Sequence, residues 1–270
     1  MSMRHYRPRG DRRRGPSFGQ KLGMYLILAT AVGLQIAYPL VHGVALRNLT
    51  LAIVYVGATT MLIHAYLSYG AKYLSIFFLV TFSFALVIEQ VGSRTGWPFG
   101  RYHYDHSLGV QIAGVPLVVP FAWLMLSHPI LILARRISRN WIFLAGGFGL
   151  MAWDLFLDPQ MVAANRWTWK VSGPHTPFNA AIPLSNSFGW LLSGIALMGL
   201  LNVILPKERR RHGANQSIPE IMLAWTFFSG VIGNLFFFHR PGTALIGGLC
   251  FGAILGPYFF KARFGRPDDR

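Results

Sequence analysis

Continuous apolar runs of roughly 20 residues recur along this chain, separated by short polar segments. They fall at Leu22–His42, Leu49–Tyr69, Tyr73–Val91, Val115–Ala134, Trp141–Leu157, Ile182–Leu205, Glu220–Phe238 and Thr243–Phe260. Each is long enough to cross the hydrocarbon core of a bilayer. A bilayer offers the backbone no water, so a spanning segment is a helix or part of a closed barrel. The runs are continuous rather than alternating, which excludes a barrel. The pattern predicts an all-α, polytopic bundle of about eight transmembrane helices. Only His239, Arg240, Pro241 and Gly242 separate the last two runs, so their division is the least marked. Pro39, Pro120 and Pro129 are candidate kinks, since neighbouring helices can satisfy the carbonyls they free.

Composition fits a membrane chain: of 270 residues, 53% are hydrophobic and 13% charged, against about a quarter charged in soluble domains. The net charge of +16 would suggest nucleic acid in a soluble protein. Here the basic residues sit in short connections, where membrane topology accounts for them and no nucleic-acid partner is expected. With the N-terminus inside, 19 of the 25 Lys and Arg fall on the cytoplasmic side and 6 on the other. The positive-inside rule therefore predicts both termini in the cytoplasm and a multi-pass protein of the cytoplasmic membrane. The expected organisation is a disordered basic tail over residues 1–21, one transmembrane domain over 22–260 and a short tail over 261–270. The first apolar run is too long for a signal-peptide core. The lone Cys250 lies within an apolar run and offers neither a disulfide nor a thiolate metal site.

Acidic residues are scarce enough to weigh singly. Asp11, Asp268 and Asp269 lie in the tails, and Glu208 and Glu220 flank a basic connection. Glu89, Asp105, Asp154 and Asp158 remain. Glu89 and Asp154 end otherwise apolar runs, and a carboxylate at membrane depth marks function unless paired or protonated. The predicted topology brings all four to the non-cytoplasmic side, with Asn186 opening the next helix there and Asn234 in the outer half of its own. Asp154 and Asp158, four apart, share a helix face if the helix continues to Pro159. They could act as general acid and base, or bind a divalent ion. Alternatively, the carboxylates pair with Arg94, Arg101 and Arg166 in a structural ion network. His103, His106 and His175 could shuttle protons or ligate a metal, whereas His64 and His128 read as packing residues. Trp97, Phe99, Tyr102, Tyr104, Trp153, Trp167, Trp169 and Trp190 form either an interfacial aromatic belt or a pocket for an apolar polyene whose ring faces stabilise a cation. There is no nucleotide-binding glycine loop, hydrolase triad signature or haem motif.

The order Gly96-Trp-Pro-Phe-Gly-Arg-Tyr-His-Tyr104, Gly114-Val-Pro-Leu117, Trp153-Asp-Leu-Phe-Leu-Asp-Pro-Gln-Met161 and Ile182-Pro-Leu-Ser-Asn186 with Gly189-Trp190 resembles one family. It is similar to the membrane carotenoid 1,2-hydratases over roughly Glu89 to Trp190. The resemblance implies cofactor-independent addition of water across the terminal double bond of an acyclic carotenoid end, giving a tertiary alcohol. No metal or cofactor is implied. The partners implied are the acyclic carotenoid, the lipid bilayer and other membrane enzymes of the carotenoid pathway. Such chemistry needs a proton donor and a water captured by a tertiary cation. A carboxyl in an apolar setting can hold its proton near neutrality, while an ionised neighbour orients water and stabilises the cation. Expected roles are Asp154 or Glu89 as acid and Asp158 as water-orienting base, with Asp105 a further candidate and Asn186 and His103 orienting groups. Trp97, Phe99, Tyr102, Tyr104, Trp153 and Trp190 are expected to bind substrate. Competing readings are a prenyltransferase with Mg²⁺ and a diphosphate on Asp154 and Asp158, and a carotenoid-binding or transport protein without chemistry.

Overall fold

The computed structural model describes residues 15–138, 140–207 and 210–264. Among the described residues eight helical segments are long and apolar enough to cross a membrane: α1 (Phe18–Ala37), α2 (Gly43–Tyr69), α3 (Ala71–Thr95), α4 (Val118–Ile137), α5 (Ile142–Ala163), α6 (Leu184–Ile204), α7 (Ser217–Ile232, counted with the helical turn that continues it to Phe237) and α8 (Pro241–Phe264). Every apolar run corresponds to one helix, but the ends move for local reasons. α1 starts at Phe18 because Ser17 and Gln20 form a reciprocal capping box. The expected tail is therefore helical from Phe18 onward, and its first fourteen residues lie outside the described ones. Pro39 does not kink α1; it sits in a separate 3-10 turn, Tyr38–Leu40. Pro120 lies in the first turn of α4, where a missing N–H costs nothing, whereas Pro129 is inside that helix. The last two runs are distinct helices, joined through a π-helical turn, Gly233–Phe237, that carries buried Asn234.

α4 is the central helix, with 83% of its apolar window buried, and it packs on α2, α3, α5, α7 and α8. α5 and α6 approach closely because glycine faces glycine: a Cβ on Gly194 would stand 2.8 Å from the Gly147 Cα. Such small-residue contacts are how membrane helices gain packing where lipid gives no hydrophobic drive. This close pair sets the carboxylates of α5 opposite the first turn of α6.

The two long loops at one end of the bundle are not irregular. Tyr102–Tyr104 (β1) and Trp167–Trp169 (β4) pair antiparallel, with Tyr102 opposite Trp169 and Tyr104 opposite Trp167. Gln111–Ile112 (β2) with Val115–Pro116 (β3), and His175–Thr176 (β5) with Asn179–Pro183 (β6), form two further short pairs. Side chains alternate across a strand. Tyr102, Tyr104, Trp167 and Trp169 therefore share the inner face, and His103 and Thr168 the outer. The resulting cap satisfies its own backbone, with Asp105 N–H donating to Arg166 O and Lys170 N–H to Arg101 O.

Candidate active site

Two carboxylate centres lie under this cap. The first is Glu89, in the last two turns of α3 and 4% exposed. Its Oε2 accepts hydrogen bonds from Tyr102 OH and Tyr104 OH, each at 2.6 Å. Its Oε1 accepts one from Trp123 Nε1 at 3.0 Å. Burial, followed by the adjacent Glu89 carboxylate, pushes both phenols well above their ordinary value, so they remain donors through neutral and alkaline pH. Gly92, one turn from Glu89, leaves room for this cage: a Cβ there would stand 2.7 Å from Phe99 and 2.8 Å from Tyr102 OH.

The second centre is Asp154, Asp158 and Asn186. α5 does continue through Pro159, so the two aspartates share a face. Asn186 Nδ2 donates to Asp154 Oδ2 at 2.9 Å and to Asp158 Oδ2 in a short contact. Trp167 Nε1 donates to Asp158 Oδ1 at 3.2 Å. All three residues are at most 3% exposed. Two carboxylates joined through one amide in a dry site repel each other strongly if both are ionised, the arrangement in which a carboxylate pair can share one proton.

Glu89, Asp158 and Asn186 line one cavity of about 320 Å³. Its aromatic walls are ordered: Trp123 stacks on Trp190 at 4.4 Å between ring centroids, and Trp153 meets Trp190 edge-on at 5.7 Å. Phe99 and Tyr102 close the wall on the cap side. Toward α1 and α7 the lining becomes Gln35, Tyr38 and Trp225, with Trp225 Nε1 donating to Gln35 Oε1 at 3.0 Å.

Other expected site residues stand apart. Asp105 is exposed and caps the turn after β1, accepting from Ser107 N–H at 2.8 Å. Hydrogen bonds from Ser107 hold its carboxyl below the usual range. His103 lies on the outer face of β1, 2.9 Å from Thr168 Oγ1. Membrane side and the loop motif group both with the buried carboxylates in sequence, and the strand pairing turns them outward. Trp97 is 59% exposed and lines no part of the cavity. The ion network with Arg94, Arg101 and Arg166 does not form among the described residues. The one ion pair there joins Arg136 to Glu220 at 3.8 Å, and Tyr258 OH also donates to that glutamate at 2.7 Å. His64 and His128 are buried packing partners, with ring nitrogens 2.9 Å apart. Trp123 was missed. Its signal was an indole N–H deep in an apolar run, which needs a buried acceptor.

Matching the sequence against family models gives a carotenoid biosynthesis protein model over residues 49–255. The chain belongs to that family. A curated relative, bisanhydrobacterioruberin hydratase of Haloarcula japonica, is 38% identical over 114 residues. That match covers 40% of this chain and 37% of the relative, so the chain spans little more than a third of that protein's length. No solved structure matches. The chain is thus a multi-pass membrane protein of carotenoid biosynthesis, with its three buried carboxylates, Glu89, Asp154 and Asp158, under the cap at one end of the bundle.

Proposed function

We propose that the chain is a carotenoid hydratase, adding water to the terminal 1,2 double bond of an acyclic carotenoid end group. The observation that carries this reading is one apolar, aromatic-walled cavity lined at a single end by a proton-holding aspartate and a separate caged carboxylate. The relative's name supports hydration as the reaction.

On this reading the roles differ from those expected from sequence. Asp158 lines the cavity and Asp154 does not, so the pair's proton reaches the alkene through Asp158. Glu89 receives three donors and offers no oxygen free of them, an arrangement suited to the anion. It stands where positive charge develops when the terminal carbon becomes a tertiary cation. The faces of Trp190 and Trp123 add cation–π stabilisation. Proton transfer to the alkene leaves an aspartate able to take the proton back from the attacking water, so the cycle closes without electron transfer.

The prenyltransferase reading is weaker on the same geometry. A divalent ion between Asp154 and Asp158 would occupy the place of the Asn186 amide N–H groups. We also place the protein in the cytoplasmic membrane with the capped end outward, alongside the enzymes that supply its substrate. The test is expression in a host that makes acyclic carotenes. Tertiary-alcohol carotenoids should accumulate with the wild-type chain and vanish with Asp158→Asn. Unchanged carotenes with a well-expressed wild-type chain would leave the binding or transport reading.

A further inference from the structure

Asp154 and Asp158 separate two spaces of different character. On one side is the apolar cavity. On the other is a recess of about 30 Å³, bordered by Asp154, Asp158 and Asn186 and by Thr176, Asn179 and Thr243. Roughly 10–15 Å³ suffices for one water if the site offers polar partners. Asp154 lines the recess and not the cavity. It is 1% exposed, and its Oδ1 accepts no hydrogen bond. A buried carboxylate oxygen with no donor is costly unless a small polar molecule supplies one. Asp158 and Asn186 border both spaces.

From this arrangement we infer that the recess is the binding site for the water that the reaction consumes, with Asp154 Oδ1 as its acceptor. The inference rests on the hydratase reading and adds where the second substrate waits. In the forward step the carboxyl pair gives its proton to the inner alkene carbon, and the π electrons form the new C–H bond. The outer carbon, which bears the two methyl groups, becomes the tertiary cation. Water passes between Asp158 and Asn186, its oxygen lone pair forms the C–O bond, and its released proton returns to the aspartate pair. No oxidant or reductant is needed. A water held behind the acid keeps the apolar cavity dry until the cation exists. Without that water, the cation can only lose a proton and return to alkene.

That alternative fate supplies the test. Lycopene, an acyclic carotene, is incubated with the full-length protein in D₂O. Two products are counted: deuterated tertiary alcohol, and recovered alkene carrying deuterium near its terminus. Thr243→Ile on α8 and Ser187→Leu on α6 narrow the recess from opposite sides without touching the carboxylates. Each should lower the ratio of hydration to exchange about tenfold or more, the order expected when one hydrogen bond to the reacting water is lost. Thr243→Val keeps the side-chain volume and so the fold, and should lower the ratio by about threefold. A ratio unchanged in folded variants, with hydration and exchange slowing together, would make the recess a proton-return path and overturn the water site. A wild-type protein giving neither alcohol nor exchange would overturn the hydratase reading itself.

Discussion

Removing the phenol donors around Glu89 should cost about twice as much stability while the carboxylate is present as when it is replaced by an amide. Tyr102 OH and Tyr104 OH both donate to Oε2 at 2.6 Å, and Trp123 supplies the remaining donor. Hydrogen bonds to a charged group are worth about 1.5–3 kcal/mol each, against about 0.5–1.5 for neutral partners. The Tyr102→Phe, Tyr104→Phe double variant leaves a 4% exposed carboxylate with one donor. Two charged bonds lost amount to roughly 3–6 kcal/mol. Glu89→Gln alone turns its carbonyl to Trp123 and its amide to the phenols, which reverse to accept. It also removes a buried charge whose desolvation offsets the weaker bonds, so it should fold nearly as well as wild type. In the Glu89→Gln background the two Tyr→Phe changes should cost about 1–3 kcal/mol. The assay is a double-mutant cycle on thermal unfolding in detergent, with about 2–4 °C expected per kcal/mol for a chain of this size. The double Tyr→Phe variant should therefore melt on the order of 10 °C lower than wild type, and Glu89→Gln should recover much of that loss. Equal penalties in the two backgrounds would refute an ionised Glu89 and remove it as the cation's counter-charge.

Asp158→Asn and Asp154→Asn should each lower hydration at least about a hundredfold while the chain stays folded, as loss of a positioned acid–base group does. Asp105→Asn and His103→Ala, both on the exposed side of the cap, should keep activity within about twofold of wild type, since surface changes away from a site have little effect. A reporter active only in the cytoplasm should work when fused after Arg270 and fail when inserted within Arg101–Gly109. Cytoplasmic activity at that insertion would reverse the capped end.

The helices were legible because membrane solvation writes each one as a long apolar run, and the carboxylates stood out because acids are rare within such runs. Residue spacing even placed Asp154 and Asp158 on one face, which needs only that α5 run through Pro159. What the sequence could not order was the loop geometry. The repeats Tyr102-His-Tyr104 and Trp167-Thr-Trp169 carry the period-two alternation of paired strands, yet three residues are too few to declare a strand beside 20-residue helices. With that pairing unseen, Tyr102 and Tyr104 read only as substrate contacts and not also as donors to Glu89, and exposed Asp105 and His103 read as site residues. The roles of the aspartates were likewise out of reach, because they depend on which oxygen faces which cavity. Trp123 shows the same limit: a buried indole N–H demands an acceptor, but nothing local names Glu89, which lies 34 positions away.

The central claim is that water adds to a carotenoid end through carboxylates alone. Purified protein is given lycopene in ¹⁸O-labelled water, under anaerobic conditions with chelator and no added nucleotide or redox cofactor. The account predicts tertiary alcohol carrying ¹⁸O at its hydroxyl, formed at the same rate with and without chelator, and lost with Asp158→Asn. Hydroxyl oxygen drawn from O₂, or turnover that stops with chelator and returns only with Mg²⁺, would contradict it.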